Sequence, residues 1–258
     1  MIKREAKVMS QKEYHVALGK GDVGRYVLLP GDPGRTEKIA KYFDNAKEIA
    51  NNREYRTFTG TVGGIKISTT STGIGCPSTA ICVEELIKCG ADTFIRIGTA
   101  GSLQKEVGLG DVVISTAAVR EEGTTRQYIP LSYPAVADFG VTQALVEAGN
   151  KLKIKYHTGI SHCKDAFYTE GADMDELPLG PNTRAMWNAW YKGNVLATSM
   201  ESAALFVVSS IRRVYAGEVL AIIGLTYDDQ PIAKKVGVDE AIQMAIEAVK
   251  ILEKKRKS

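Results

Sequence analysis

The sequence predicts an α/β fold in which a mixed, twisted β-sheet is covered by helices on both faces. Two observations lead there. Strand-like and helix-like stretches alternate along the 258 residues, with only short Gly/Pro punctuation between them. Within that alternation, "YRTFTGTVGGIKISTTS" reads as two strands joined through Gly63-Gly64, a hairpin signal foreign to an all-parallel sheet. No linker, repeat or shift in composition divides the chain, so residues 1–258 are read as one domain.

Taken in order, "RYVLLPGDPGR" is a strand running into a turn, and "TEKIAKYF" after it has helical spacing. The hairpin follows. "CPSTAICVEELIKCG" is a helix, with Pro77 in its first turn and Gly90 as its stop. "TFIRIGTAG" is a buried strand with a glycine-rich exit, and "DVVISTAAV" and "VLAIIGLT" are further buried strands. "DFGVTQALVEAGNKL" and "VDEAIQMAIEAVKILEKK" carry apolar residues three and four apart, as amphipathic helices do. In sheets of this kind the ligand crevice lies at the carboxyl ends of the strands. The turns "LLPGDPGR", "STTSTGIGCPS" and "FIRIGTAG" are therefore the places to look.

Composition removes several function classes. With 44% apolar and 24% charged residues, the chain reads as an ordinary globular protein. A net charge of +3 leaves no nucleic-acid footprint, and the basic tail "EKKRKS" suits a helix C-terminus. No apolar run approaches the roughly 18 residues of a membrane span. The start "MIKREAKVMSQKEYHV" is too charged for a signal peptide, so a cytoplasmic address is expected. Cys76, Cys82, Cys89 and Cys163 form no CxxC pair and read as reduced residues. Cys82 and Cys89 share a helix face. With only His15, His157 and His162, no structural zinc site is expected.

Arg96 is the residue that asks for an explanation. It interrupts a buried strand, and an unpaired buried charge costs several kcal/mol. Its partner must be either an equally buried carboxylate or a bound anion. Gly98, Thr99 and Gly101 follow it with N–H groups and a hydroxyl suited to an oxyanion. Gly31 and Gly34 open the backbone ahead of Arg35, and Arg53 precedes another strand. Three arginines at turns suit a phosphate, which each can grip through two oxygens. Taken singly, Arg53 and Arg56 also fit exposed strand charges, and Arg35 a solvated first-turn residue. "GxxxxGK[ST]" is absent, which argues against nucleoside triphosphate chemistry. "TGIGCPS" is a weak dinucleotide fingerprint, with Ser78 where the third glycine belongs; a NAD-dependent oxidoreductase is the rival enzyme class.

Taken together and in order, "HVALGKGDVGRYVLLPGDPGR", "NREYRTFTG", "STGIGCPSTAICVEEL", "FIRIGTAGSLQ", "YPAVADF", "DAFYTEG" and "TSMESAALF" resemble the nucleoside phosphorylase family. The resemblance is to its uridine phosphorylase and hexameric purine nucleoside phosphorylase type, and closest to the uridine enzymes. It implies that phosphate attacks C1′ of a nucleoside, releasing free base and ribose 1-phosphate, with no cofactor. It places Gly31, Arg35, Arg96 and Thr99 on phosphate, with Arg53 supplied by a neighbouring subunit. Thr99, Met200 and Glu201 fall on the ribose, with His15 from the neighbour, and Gly101 and Phe167 fall on the base. Arg96 and Glu201 would carry catalysis. The resemblance also implies a homo-oligomer, dimeric or hexameric, and a potassium position at Glu54, Ile74 and Ser78.

The residues agree with this in part. A phosphate dianion needs no activating triad, and Glu201 suits an oxocarbenium-like transition state. Read by spacing alone, Thr198-x-x-Glu201 is a capping box, Met200 a core residue and His15 a surface histidine. Two departures concern the base. "FYTEGADMDELPLGP" lacks the glutamine and arginine with which uridine phosphorylases read uracil, leaving Glu170 as the nearest substitute. "GLTYDDQP" has Thr226 where the family carries arginine or aspartate, with Asp228 as the candidate for assisting the leaving group. The alternatives are a purine nucleoside phosphorylase acting on inosine or guanosine, and a binding protein without catalysis.

Overall fold

The computed structural model describes residues 12–169, 177–226 and 236–257. The chain begins with β1 (Tyr26–Leu29), α1 (Pro33–Ala40) and the strands β2 (Asp44–Asn52), β3 (Tyr55–Val62) and β4 (Ile65–Thr70). Next come α2 (Cys76–Lys88), β5 (Thr93–Ser102), β6 (Val112–Glu121), β7 (Ala135–Val136) and α3 (Phe139–Leu152). The order closes with β8 (Tyr156–Lys164), α4 (Gly180–Lys192), β9 (Ala197–Ser199), α5 (Ser202–Arg212), β10 (Tyr215–Leu225) and α6 (Val238–Lys257).

All these strands join one mixed sheet. The β3–β4 hairpin turns through Gly63 (φ 57°) and Gly64 (φ 78°), the left-handed pair that a two-residue loop demands. β1 runs parallel to both β4 and β5. β5 then pairs with β10 on one side and β9 on the other, and β10, β6, β8 and β9 pair in turn, so these strands close a ring. The mixed sheet was legible in the sequence. The ring was not.

Strand alternation divides the core between the two faces. Val27, Leu29 and Phe94 pack with Leu86 of α2 and Phe206 of α5. Tyr26, Leu28, Ile95 and Ile97 pack on the other face with Leu145 of α3 and Ile242 of α6. Arg96 follows Phe94 by two residues and so falls on the face of α2 and α5. Both helices begin close to it.

Candidate functional site

Parallel strands bring three turns together. Leu29 of β1 lies opposite Arg96 of β5, and Leu28 lies opposite Thr69 of β4. The pairing continues past the strand ends: Thr72 N–H donates to the Pro30 carbonyl at 2.9 Å, and Gly73 N–H to that of Gly31 at 3.1 Å. A Cβ on Gly31 would stand 3.2 Å from the Gly73 carbonyl and 3.8 Å from Arg96 Nη1. Gly73 has φ +70°, and a Cβ there would stand 2.8 Å from Glu54 Cγ. Glycine is needed at Gly73 for both conformation and space.

Arg96 is only 5% exposed, and its guanidinium meets two buried carboxylates. Nη2 donates to Glu201 Oε2, and Nε lies 3.0 Å from Glu218 Oε1. Burial would depress the guanidinium pKa, but Glu201 and Glu218 outweigh it and raise the pKa above the ordinary value. Arg96 is a permanent cation. Its Nη1, facing Gly31, is buried without a hydrogen-bond partner among the described residues. Such an orphaned donor costs about 1–3 kcal/mol, a cost that an anion seated beside Gly31 would remove.

Glu201 links the strand to both helices of this face. Oε1 accepts the Gly75 N–H, at the start of α2, at 2.9 Å. Oε2 accepts from Arg96 and, at 3.3 Å, from Met200 N–H. The capping-box expectation is therefore corrected. Thr198 lies in β9, α5 starts only at Ser202, and the Glu201 side chain makes no capping bond. The carboxylate points at Arg96 instead. Met200, half-buried, precedes it.

Glu218 is the buried neighbour of Arg96 that sequence reasoning missed. It lies directly opposite Arg96 in the β5–β10 register and is fully buried. It accepts the Ser202 hydroxyl at 2.7 Å, and burial pushes its carboxyl pKa up against the pull of Arg96. The signal was present, because extending "VLAIIGLT" by one residue puts a carboxylate in a buried strand.

Arg35 sits in the first turn of α1, which Asp32 caps by accepting Gly34 N–H at 2.8 Å. Its Nη1 donates to the Ile97 carbonyl at 3.1 Å. Burial and then the like charge of Arg96 push its pKa down. Two cations held close enough to repel each other favour an anion between them. Arg35 and Thr99 also line a cleft of about 910 Å³, together with Asp32, Lys38 and Ile223.

His15 and Arg53 stand apart from this pair. Arg53 occupies the exposed β2–β3 turn with φ 55°, its Nη2 3.4 Å from the Tyr14 hydroxyl. His15 Nδ1 lies 2.6 Å from Glu85 Oε1, and its carbonyl accepts from Asn52 Nδ2 at 2.7 Å. The two residues thus share one surface with Tyr14, which is 74% exposed. Glu54 and Ser78 flank Gly73, and Ser78 Oγ donates to the Thr72 carbonyl at 2.6 Å and to that of Ile74 at 3.3 Å. Among the described residues no group of three His, Cys, Asp or Glu side chains gathers to hold a metal ion.

Phe167 stands half-exposed in a short 3-10 turn after β8, edge-on to Tyr168 at 5.3 Å. Gly101 directs its N–H toward Thr198 Oγ1 at 3.4 Å, and a Cβ on it would lie 2.9 Å from Thr226 Cγ2. Glu170 and Asp228 lie outside the described residues.

Residues 25–254 match the phosphorylase superfamily. The chain is 47% identical to a uridine phosphorylase of Treponema pallidum, covering 93% of this chain and 94% of that protein. It is 35% identical to a guanosine phosphorylase of Halorubrum lacusprofundi, over 93% and 99%. A crystal structure of a uridine phosphorylase from Vibrio fischeri superposes with a TM-score of 0.84 at 33% identity, over 95% of this chain and 99% of that one.

Proposed function

The chain belongs to the phosphorylase superfamily, and we propose that within it the protein is a uridine phosphorylase. This pentosyltransferase would convert uridine and phosphate into uracil and ribose 1-phosphate. The observation that carries the reading is the buried, orphaned Nη1 of Arg96 beside Gly31, with Arg35 close by and Glu201 on the guanidinium's other side.

In this reading Arg35, Arg96, Thr99 and the Gly31 backbone hold inorganic phosphate and aim one oxygen at C1′. The phosphate is already a nucleophile at neutral pH, so no proton need be removed from it. As the glycosidic bond breaks, the sugar gathers positive charge, and Glu201 accepts the ribose hydroxyls while its negative charge stabilises that cation. Uracil leaves with the bonding electrons, and Asp228 is proposed to assist its protonation. Phosphate becomes bonded to C1′. Phe167 and Gly101 border the base, and Met200 the sugar.

His15 and Arg53 are proposed to complete a neighbour's site within a homo-oligomer. Their shared exposed surface and the 77% exposed Ile74 support this reading. Potassium, a hard monovalent cation, is proposed to be held through oxygens of Glu54, Ile74 and Ser78, of which the Ser78 hydroxyl and the Ile74 carbonyl lie 3.3 Å apart. The continuous sheet supports reading residues 1–258 as one catalytic unit. Among the described residues no helix is long and apolar enough to cross a membrane, and the four cysteines are buried and free, in keeping with a proposed cytoplasmic setting.

A nucleoside panel of uridine, thymidine, inosine, guanosine and adenosine, assayed with and without phosphate, tests the reading. Phosphate-dependent release of base, fastest from uridine, is expected. Inosine or guanosine as the best substrate would overturn the uridine assignment. NAD reduction without phosphorolysis would overturn the whole reading.

A further inference from the structure

Two corners of the Arg96 guanidinium carry a carboxylate each. Glu201 gives Oε2 to Nη2 and keeps Oε1 for the Gly75 N–H at 2.9 Å. Glu218, opposite Arg96 in the β5–β10 register, sets Oε1 3.0 Å from Nε. Both Glu218 oxygens also accept from the Ser202 hydroxyl at 2.7 Å, the arrangement of an ionised carboxylate. A guanidinium and a carboxylate favour the two-pronged pair. With Nε taken by Glu218, Glu201 cannot close such a pair across Nε and Nη2. Nη1 is then the corner left to face Gly31.

The charges are unusual for an anion site. Arg35 and Arg96 supply two positive charges, and Glu201 and Glu218 cancel both. Glu201 alone would balance Arg96, so the second carboxylate exceeds what burial of the arginine requires. Glu218 is fully buried, so any effect it has on a ligand passes through the guanidinium.

On this geometry we propose that Glu218 is a positioning residue for phosphate, acting through Arg96. It turns Nη1 toward the anion, and its charge holds the affinity down so that a phosphate group bound there stays exchangeable. The proposal deepens the uridine phosphorylase reading and rests on it. The simpler account makes Glu218 a structural tie between β10 and α5 through Ser202. A tie of that kind changes the melting temperature and leaves the affinity for phosphate alone.

The test measures the Kd of inorganic phosphate by titration calorimetry, beside the KM for uridine and the melting temperature. The wild-type enzyme is compared with Glu218→Gln and Glu218→Asp. Glutamine keeps an oxygen for Nε and loses the charge, so Glu218→Gln should lower the phosphate Kd by about threefold to tenfold. Aspartate keeps the charge and loses the reach to Nε, so Glu218→Asp should raise that Kd by a similar factor. The uridine KM should change by less than about twofold in both. A folded Glu218→Gln enzyme with an unchanged or raised phosphate Kd would leave Glu218 a structural tie and overturn the proposal. Should that variant fail to fold, Glu218→Asp decides: a raised Kd supports the positioning role, and an unchanged one refutes it. If the wild-type enzyme neither binds phosphate nor releases uracil from uridine, the underlying function fails first, independently of any variant.

Discussion

At Glu201 a single carboxylate accepts the Gly75 N–H just ahead of α2, the backbone N–H of Met200 and the guanidinium of Arg96. A Glu201→Gln side chain can still accept the Gly75 N–H, so the fold should survive, but its charge is gone. Turnover should then fall by about a hundredfold or more, the scale of lost transition-state electrostatics, while the melting temperature changes little. Near-normal turnover in a destabilised variant would reduce Glu201 to a structural tie; measuring both quantities on one preparation decides. Arg96 was legible because a charge within an apolar strand demands a partner. Its second partner, Glu218, went unread because the strand seemed to begin at Val219. His15 and Arg53 carried no signal of their own, since a lone histidine near a charged N-terminus and an exposed turn arginine look ordinary until a resemblance assigns them.

At the scale of elements, local chemistry was readable where the backbone itself demands a residue type. Gly63-Gly64 announced the β3–β4 hairpin, and Pro77 and Gly90 bracketed α2. β2 went unread because "DNAKEIANN" is polar without clean alternation, and β9 because three residues are too few to show a period. The junction of β6 and β8 makes a pH prediction. Asp111, just before β6, accepts from Gly108 N–H at 3.0 Å and pairs with Lys155 at 2.8 Å and His157 at 2.9 Å. Burial would raise its carboxyl pKa, but these bonds outweigh it and hold it below the ordinary 3.8. With the folded value below the unfolded one, the stabilisation is present above the unfolded pKa and is lost as pH falls through the folded one. Asp111→Asn should therefore lose less stability on acidification from about pH 7 to about pH 3, read as a shallower acid limb in melting temperature. An acid limb as steep as the wild type's would remove Asp111 from the account.

At the scale of the molecule, the ring through β5, β10, β6, β8 and β9 depends on pairings far apart in sequence, which no local pattern encodes. The proposed sharing of sites is equally non-local, and it makes a quantitative prediction. Arg53→Ala and Arg96→Ala homo-oligomers should each be nearly inactive. In a mixed dimer one site loses both arginines and the other regains a complete set. Random pairing makes about half the dimers mixed, so roughly a quarter of all sites should recover activity on coexpression. Activity no higher than the mean of the two separate variants would keep Arg53 within its own subunit or away from the site. The central claim, that phosphate held at Arg96 attacks C1′, is tested most directly by supplying uridine and phosphate labelled with oxygen-18 at every position, then weighing the sugar product. Ribose 1-phosphate carrying every labelled oxygen, including the one bonded to C1′, is the predicted result. Free ribose, or a sugar phosphate with an unlabelled oxygen at C1′, would contradict it.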